Sequence, residues 1–258
     1  FAQREADAFR VRDPPQHHDV RNEVLRKALR ELRLRAAPPL EATEVADEAL
    51  AAEGASIVAA DLNDCSGTVA AVESTGGRAV STTVDVSDAN SCGAMAALAM
   101  DGFGRIDVLI NNAGSSDSAP IQEADLVAWD KVLDLNVRTA LHLSRNVLPH
   151  MIERRRGAVI NISSIQGRSV VPTGGIYCAT KHAINGLTGC MFEDVREYGI
   201  KVSSIMPGYV ETRMTKHMKK VTANMLAPDD VADAVEYVLS SSSRCCPTEL
   251  VLRPQRAP

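Results

Sequence analysis

From residue 44 onward, short and nearly continuous apolar runs alternate with helix-forming stretches, and this alternation constrains the chain more than any other feature. The apolar runs are "SIVAAD" (56–61), "RAVSTTVDV" (78–86), "RIDVLINNAG" (105–114), "GAVINISS" (157–164), "IKVSSIMPG" (200–208) and "TELVLRP" (248–254). Between them the sequence predicts helices over "EVADEALAAEG", stopped by Gly54, over about Cys65–Ser74, and from an N-cap at Ser87 or Asp88 to Gly104. Further helices are predicted over about Asp125–Arg155, Ile176–Tyr198 and "PDDVADAVEYVLSS". Strands that are apolar throughout need cover on both faces, and strands separated by helices run parallel. The expected fold is therefore α/β, a doubly wound parallel sheet in a single domain.

The first part of the chain does not share this pattern. Residues 1–35 form an atypical charged N-terminal segment, and the domain is expected over 36–258. Val20 to Leu34 could form a helix with a thin apolar face. His17 and His18 lack further ligands for a metal.

In a doubly wound sheet, ligands bind beyond the carboxyl ends of the strands. Asp61, Asp85, Asn111, Asn112, Gly114, Ser163, Ser164, Pro207 and Gly208 all fall at such ends. Each alone is equally a turn former or a helix cap. "YCATK" at 177–181 adds chemistry, because its spacing puts Tyr177 and Lys181 on one helix face. A tyrosine with a pKa near 10 is a poor base at neutral pH, and a neighbouring ammonium lowers that value. With a hydroxyl such as Ser164 to hold a substrate oxygen, the group suits proton transfer to an alcohol or carbonyl oxygen. The Tyr–Lys pair by itself is a weak signal.

Composition removes other classes. Net charge is −5 and aromatic residues are 3%, so there is no basic, aromatic-interleaved surface for nucleic acid. No apolar run approaches the roughly 18 residues of a membrane span. No charged-then-apolar leader opens the chain, although it starts with Phe1 and not Met. The six cysteines form no zinc-type pair and read as reduced thiols, which implies a cytoplasmic protein without a metal site.

Four motifs in order make the sequence resemble the short-chain dehydrogenases/reductases: "NNAG" at 111–114, "NISS" at 161–164, "YCATK" at 177–181 and "MPGYVET" at 206–212. Ser164 precedes Tyr177 by 13 residues, and Asn136 in "LDLNVRTALHLS" precedes Ser164 by 28, as in that family. The resemblance covers about residues 44–252 and implies a Rossmann-type sheet and a nicotinamide-dependent interconversion of a secondary alcohol and a ketone. It implies Tyr177 as general acid/base, Lys181 lowering its pKa and holding the nicotinamide ribose, Ser164 orienting the substrate oxygen, and Asn136 anchoring a relay water. For the cofactor it implies Asp85 and Val86 at the adenine, with Asn112, Ala113 and Gly114 on the adenine side. Pro207, Gly208, Val210 and Thr212 are implied at the nicotinamide. Asp61, followed by Leu62 and not arginine, can bond both ribose hydroxyls and would repel a 2′-phosphate, so NAD(H) is favoured over NADP(H). A homodimer or homotetramer through the helices at about 125–155 and 176–198 is implied as well.

One departure stands against this pattern. The family's first strand and glycine loop should cover the region up to Thr43, but "ELRLR" and "AAPPLEAT" stand there without glycine. Pro38 and Pro39 remove backbone donors, and Glu41 brings negative charge toward a pyrophosphate. Either this N-terminal region is not the genuine one, or the chain is a scaffold or partner subunit that binds dinucleotide poorly. The substrate is less legible. Met214, Met218, Met225 and Leu226 could line an apolar pocket, and Lys216, Lys219 and Lys220 could attract an acid. The ending "TELVLRPQRAP" resembles family members that act on 3-hydroxy acids or 3-oxoacyl groups.

Overall fold

The structure, a computed structural model, describes residues 47–48, 50–52, 54–216 and 222–258. The expectations for residues 1–35, "ELRLR", the stretch Ala36 to Thr43, Met218, Lys219 and Lys220 lie outside the described residues. The elements are β1 (Ser56–Asp61), α1 (Ser66–Ser74), β2 (Arg78–Thr83), α2 (Ala89–Phe103), β3 (Val108–Asn111), α3 (Leu126–Leu133) and α4 (Thr139–Arg154). They continue with β4 (Gly157–Ile162), α5 (Gly175–Val195), β5 (Ile200–Pro207), α6 (Pro228–Ser240) and β6 (Glu249–Leu252).

All strand pairings are parallel. Among the described residues they fall into two hydrogen-bonded groups, β1–β2 and β3–β4–β5–β6. Alternation along each strand sends neighbouring side chains to opposite faces. On one face Leu109 and Val159 pack with Cys92 and Ala96 of α2, Leu143, Val147 and Met151 of α4, and Met191 and Val195 of α5. On the other, Ile160 and Ile205 pack with Val231, Ala234, Val235 and Val238 of α6. The sheet is thus covered on both faces, as the uniformly apolar strands require.

The helix boundaries follow local chemistry. Ala52 is the last described helical residue before Gly54, whose φ of 91° suits only glycine without strain. The Asp88 carboxylate accepts from Ser91 N at 2.8 Å and starts α2. Asp125 caps α3 in the same way through Val127 N and Ala128 N. The single helix expected over about Asp125–Arg155 is interrupted: α3 and α4 are joined by a π turn at Asp134–Arg138. Side-chain periodicity cannot register one extra residue in a turn, and tertiary bonds to Asn136 hold this one open.

Candidate active site

Within each hydrogen-bonded group the strands run parallel and their carboxyl ends share one edge, and a cavity of about 1350 Å³ runs from there along β1 and β3 to Ser56 and Asp107 near their amino ends. All the residues expected at the site line it except Leu62 and Asp85, which are exposed. Asp85 spends Oδ1 on Ser87 N and Ser87 Oγ, and these bonds lower its pKa. Of the candidate substrate residues Met214 lines the cavity, while Leu226 pairs with Val210 in an isolated bridge.

The π turn places Asn136, which is only 4% exposed. Its Oδ1 accepts from Ser115 N at 2.8 Å, and its Nδ2 donates to Ser115 O at 2.8 Å and to Thr180 Oγ1 at 3.0 Å. Both amide hydrogens are therefore used, and the loop after β3 is clasped to α5. Gly114 permits the clasp, since a Cβ there would stand 3.2 Å from Asn136 Oδ1. Thr180 and Ser115 were not anticipated from the sequence. The one signal was the position of Thr180 inside "YCATK", a small hydroxyl beside the lysine.

The two serines at the end of β4 separate as strand alternation requires. Ser163 turns to the backbone and donates to Lys181 O at 3.2 Å. Ser164 has extended backbone and accepts from Gln166 N at 3.2 Å, and its hydroxyl favours the ionised form of the Tyr177 phenol. On α5, Lys181 is 6% exposed, lies 5.5 Å over the Tyr177 ring, and donates to Ile162 O at 2.9 Å. Burial lowers its pKa to about 8. The sequence led us to expect a lowered tyrosine pKa, but Tyr177 is shifted up. Burial is the main cause, only partly offset by the Ser164 hydrogen bond. The desolvated phenolate outweighs its neighbours here.

On the far side of the cavity the chain after β5 is fixed backbone to backbone. Gly208 N donates to Leu252 O at 2.8 Å, Leu226 N to Tyr209 O at 2.9 Å, and Glu211 N to Leu226 O at 2.9 Å. Thr212 N donates to Thr215 Oγ1 at 3.1 Å. At the opposite end Asp61 is exposed, and Asn63 binds its Oδ1 through both backbone and side-chain nitrogens at 2.8 Å. Between the two ends Asn111 Oδ1 is buried without a hydrogen-bond partner, an acceptor on the cavity lining. Asp61, Val86, Lys181, Pro207, Gly208, Val210 and Thr212 all line this one cavity.

None of the six cysteines forms a disulfide. Among the described residues no cluster of His, Cys, Asp and Glu could hold a metal ion, and no helix is long and apolar enough to cross a membrane.

Comparison with known proteins agrees with this geometry. The family model described as short chain dehydrogenase matches residues 43–223. An uncharacterized oxidoreductase of Staphylococcus epidermidis is 33% identical over 206 residues, 80% of this chain and 89% of that protein. One of Staphylococcus aureus is 34% identical over 170 residues, 66% of this chain and 74% of that protein. Among solved structures, a metagenomic short-chain oxidoreductase in complex with NADP superposes with a TM-score of 0.74 at 27% identity, covering 84% of this chain and 93% of that one.

Proposed function

The chain belongs to the short-chain dehydrogenase family, and from that premise we propose that it interconverts a ketone and a secondary alcohol with a nicotinamide dinucleotide, Tyr177 being the general acid/base. The observation that carries the reading is that Ser164, Tyr177 and Lys181 line one cavity, with Lys181 Nζ 5.5 Å from the centre of the Tyr177 ring. When bound, the cofactor supplies the hydride.

The residues of this chain do the rest. Ser164 holds the substrate oxygen beside the phenol. Tyr177, kept protonated at neutral pH by its raised pKa, donates its proton to that oxygen in the reductive direction. The buried Lys181 ammonium stabilises the phenolate as it forms. Its Nζ lies 5.5 Å from the centre of the Tyr177 ring, and an opposite charge that near favours the ionised phenol. With its pKa near 8, Lys181 can also give up and regain a proton close to working pH. Asn136 braces the wall on which Tyr177 and Lys181 stand, and anchors the water that returns protons to Lys181.

Asp61, Val86, Asn112, Ala113, Gly114, Pro207, Gly208, Val210 and Thr212 are the residues that would hold the cofactor, with Leu62 and Asp85 at its outer adenine edge. Asp61 sits exposed at the end of β1 with Leu62 next to it, which supports NAD(H) over NADP(H). Exposed Leu126, Val127, Leu133 and Leu141 on α3 and α4 support a homodimer or homotetramer built on that face. Six cysteines without a disulfide support a cytoplasmic protein. A scaffold without chemistry is the less supported reading, because a degenerate site has no need of the buried clasp at Asn136.

The test is cofactor oxidation by the full chain with a panel of ketones. Tyr177→Phe should lower kcat about 10²- to 10⁴-fold while leaving the Kd for reduced cofactor within a factor of about three. Equal turnover by the two proteins would remove Tyr177 from the chemistry.

A further inference from the structure

Among the described residues two that are not glycine have a positive φ, Arg155 at 50° and Thr173 at 62°. Arg155 ends α4, where the left-handed conformation is a common stop. Thr173 ends no helix. It is branched at Cβ, and such a residue keeps this conformation only where its surroundings impose it. Here the loop after β3 imposes it. Ala119 N donates to Thr173 O at 3.0 Å, the Ser118 and Thr173 hydroxyls bond each other at 2.7 Å, and Ala119 pairs with Gly174 in a parallel bridge. Glycine would take the same φ without strain but would lose the hydroxyl bond. The strained residue therefore points to its own side chain.

The clasp lies where α5 begins. Thr173 precedes Gly174, the N-cap of α5, whose carbonyl accepts from Cys178 N at 2.8 Å. Tyr177 is the third residue of that helix, and Ser118 and Thr173 line the cavity with it. The first turn of a helix has no intrahelical partners for its N–H groups, so the chain that enters it fixes its place. The same loop grips α5 again beyond Tyr177, where Asn136 bonds both Ser115 and Thr180. We propose that Thr173 and Ser118 are positioning residues for Tyr177, their clasp fixing the first turn of α5 so that the phenol meets the reacting oxygen. The inference rests on the proposed reaction and adds two residues that act through Tyr177. Misplacing a reacting group by about an ångström costs on the order of 10²-fold in rate, so a small loosening here is visible in turnover.

The test measures kcat on the ketone panel, the Kd for reduced cofactor and urea unfolding for four variants of the full chain. Ser118→Ala and Thr173→Gly should each lower kcat about five- to tenfold and leave the cofactor Kd within a factor of about two. The double variant should be no slower than either, because both remove one bond. Thr173→Ser, which keeps the hydroxyl, should restore kcat. Thr173→Gly should keep its urea midpoint close to that of the wild type, since relief of strain offsets the lost bond, and still be slow. A residue that served stability alone would give activity that follows the midpoint. Wild-type kcat in Ser118→Ala and Thr173→Gly would overturn the proposal, as would losses that multiply in the double variant. A second readout needs no turnover. Trp129 is the single tryptophan, and its ring lies 3.2 Å from where a Cβ on Gly175, the first residue of α5, would stand. Acrylamide should quench its fluorescence more readily in Ser118→Ala and Thr173→Gly than in the wild type and Thr173→Ser. Equal quenching in all four would overturn the proposal. That order of quenching in a protein that reduces none of the ketones would refute the proposed reaction and leave the clasp its hold on α5.

Discussion

Lys181 should make the protein more stable in mildly alkaline solution, and only while the lysine is present. Its pKa is lowered by burial from 10.5 to about 8. Below pH 8 the folded state must keep a desolvated ammonium, while the unfolded chain keeps the same charge in water. Between pH 8 and 10.5 the folded protein has released this proton and the unfolded chain still holds it. Folding therefore binds fewer protons in that window, and stability rises with pH. Lowering the pKa from 10.5 to about 8 corresponds to roughly 3 kcal/mol in full, most of which falls between pH 7 and pH 10. Lys181→Met removes this titration. It also removes the 2.9 Å bond to Ile162 O, which sets a constant offset and not a slope. The assay is urea unfolding of both proteins at pH 7, 8, 9 and 10. The difference in unfolding free energy, wild type minus variant, should grow by roughly 2–3 kcal/mol across the series. Other titrating groups cancel in the difference. A difference that stays constant with pH would show that Lys181 is not desolvated and that its assigned role is wrong.

Other perturbations separate further parts of the account. Asp61→Ser should raise the affinity for NADPH relative to NADH at least tenfold in a fluorescence titration, since it removes the charge that faces a 2′-phosphate. An unchanged ratio would take Asp61 out of cofactor selection. Asn136→Ala should cost about 2–3 kcal/mol in urea unfolding, because Ser115 N–H and C=O lose their partners in a part-buried place. Gly167→Ala should cost about 1–3 kcal/mol and slow turnover, since its Cβ would meet Lys181 O at 2.8 Å and Ser163 Oγ at 2.9 Å. A neutral result there would mean that the junction of Ser163 and Lys181 is looser than it is drawn here.

The strands were legible because each is apolar throughout, and their ends because turn formers and polar residues follow at once. Ser163 and Ser164 could be told apart from alternation alone. The π turn could not be foreseen, because it arises from bonds between Asn136, Ser115 and Thr180, which lie 21 and 44 residues from Asn136 in sequence. The direction of the Tyr177 shift was misjudged for a related reason. Sequence spacing gives the neighbouring charge, but the opposing cost of burial depends on how closely α5 packs over the end of β4. Cys178 follows Tyr177 in sequence, but adjacent helix positions diverge. That divergence is what carries its thiol to Gln166, a contact that depends on the loop returning at Gly174.

The central claim is hydride transfer to a carbonyl whose oxygen takes a proton from Tyr177. The most direct test is to supply methyl acetoacetate with NADH carrying deuterium at C4 of the nicotinamide and to examine the product by mass spectrometry and NMR. The account predicts one deuterium on the carbinol carbon of the 3-hydroxy ester, formed by the wild type and lost to about the background rate with Tyr177→Phe. Product without deuterium, or labelled product formed equally fast by Tyr177→Phe, would contradict it.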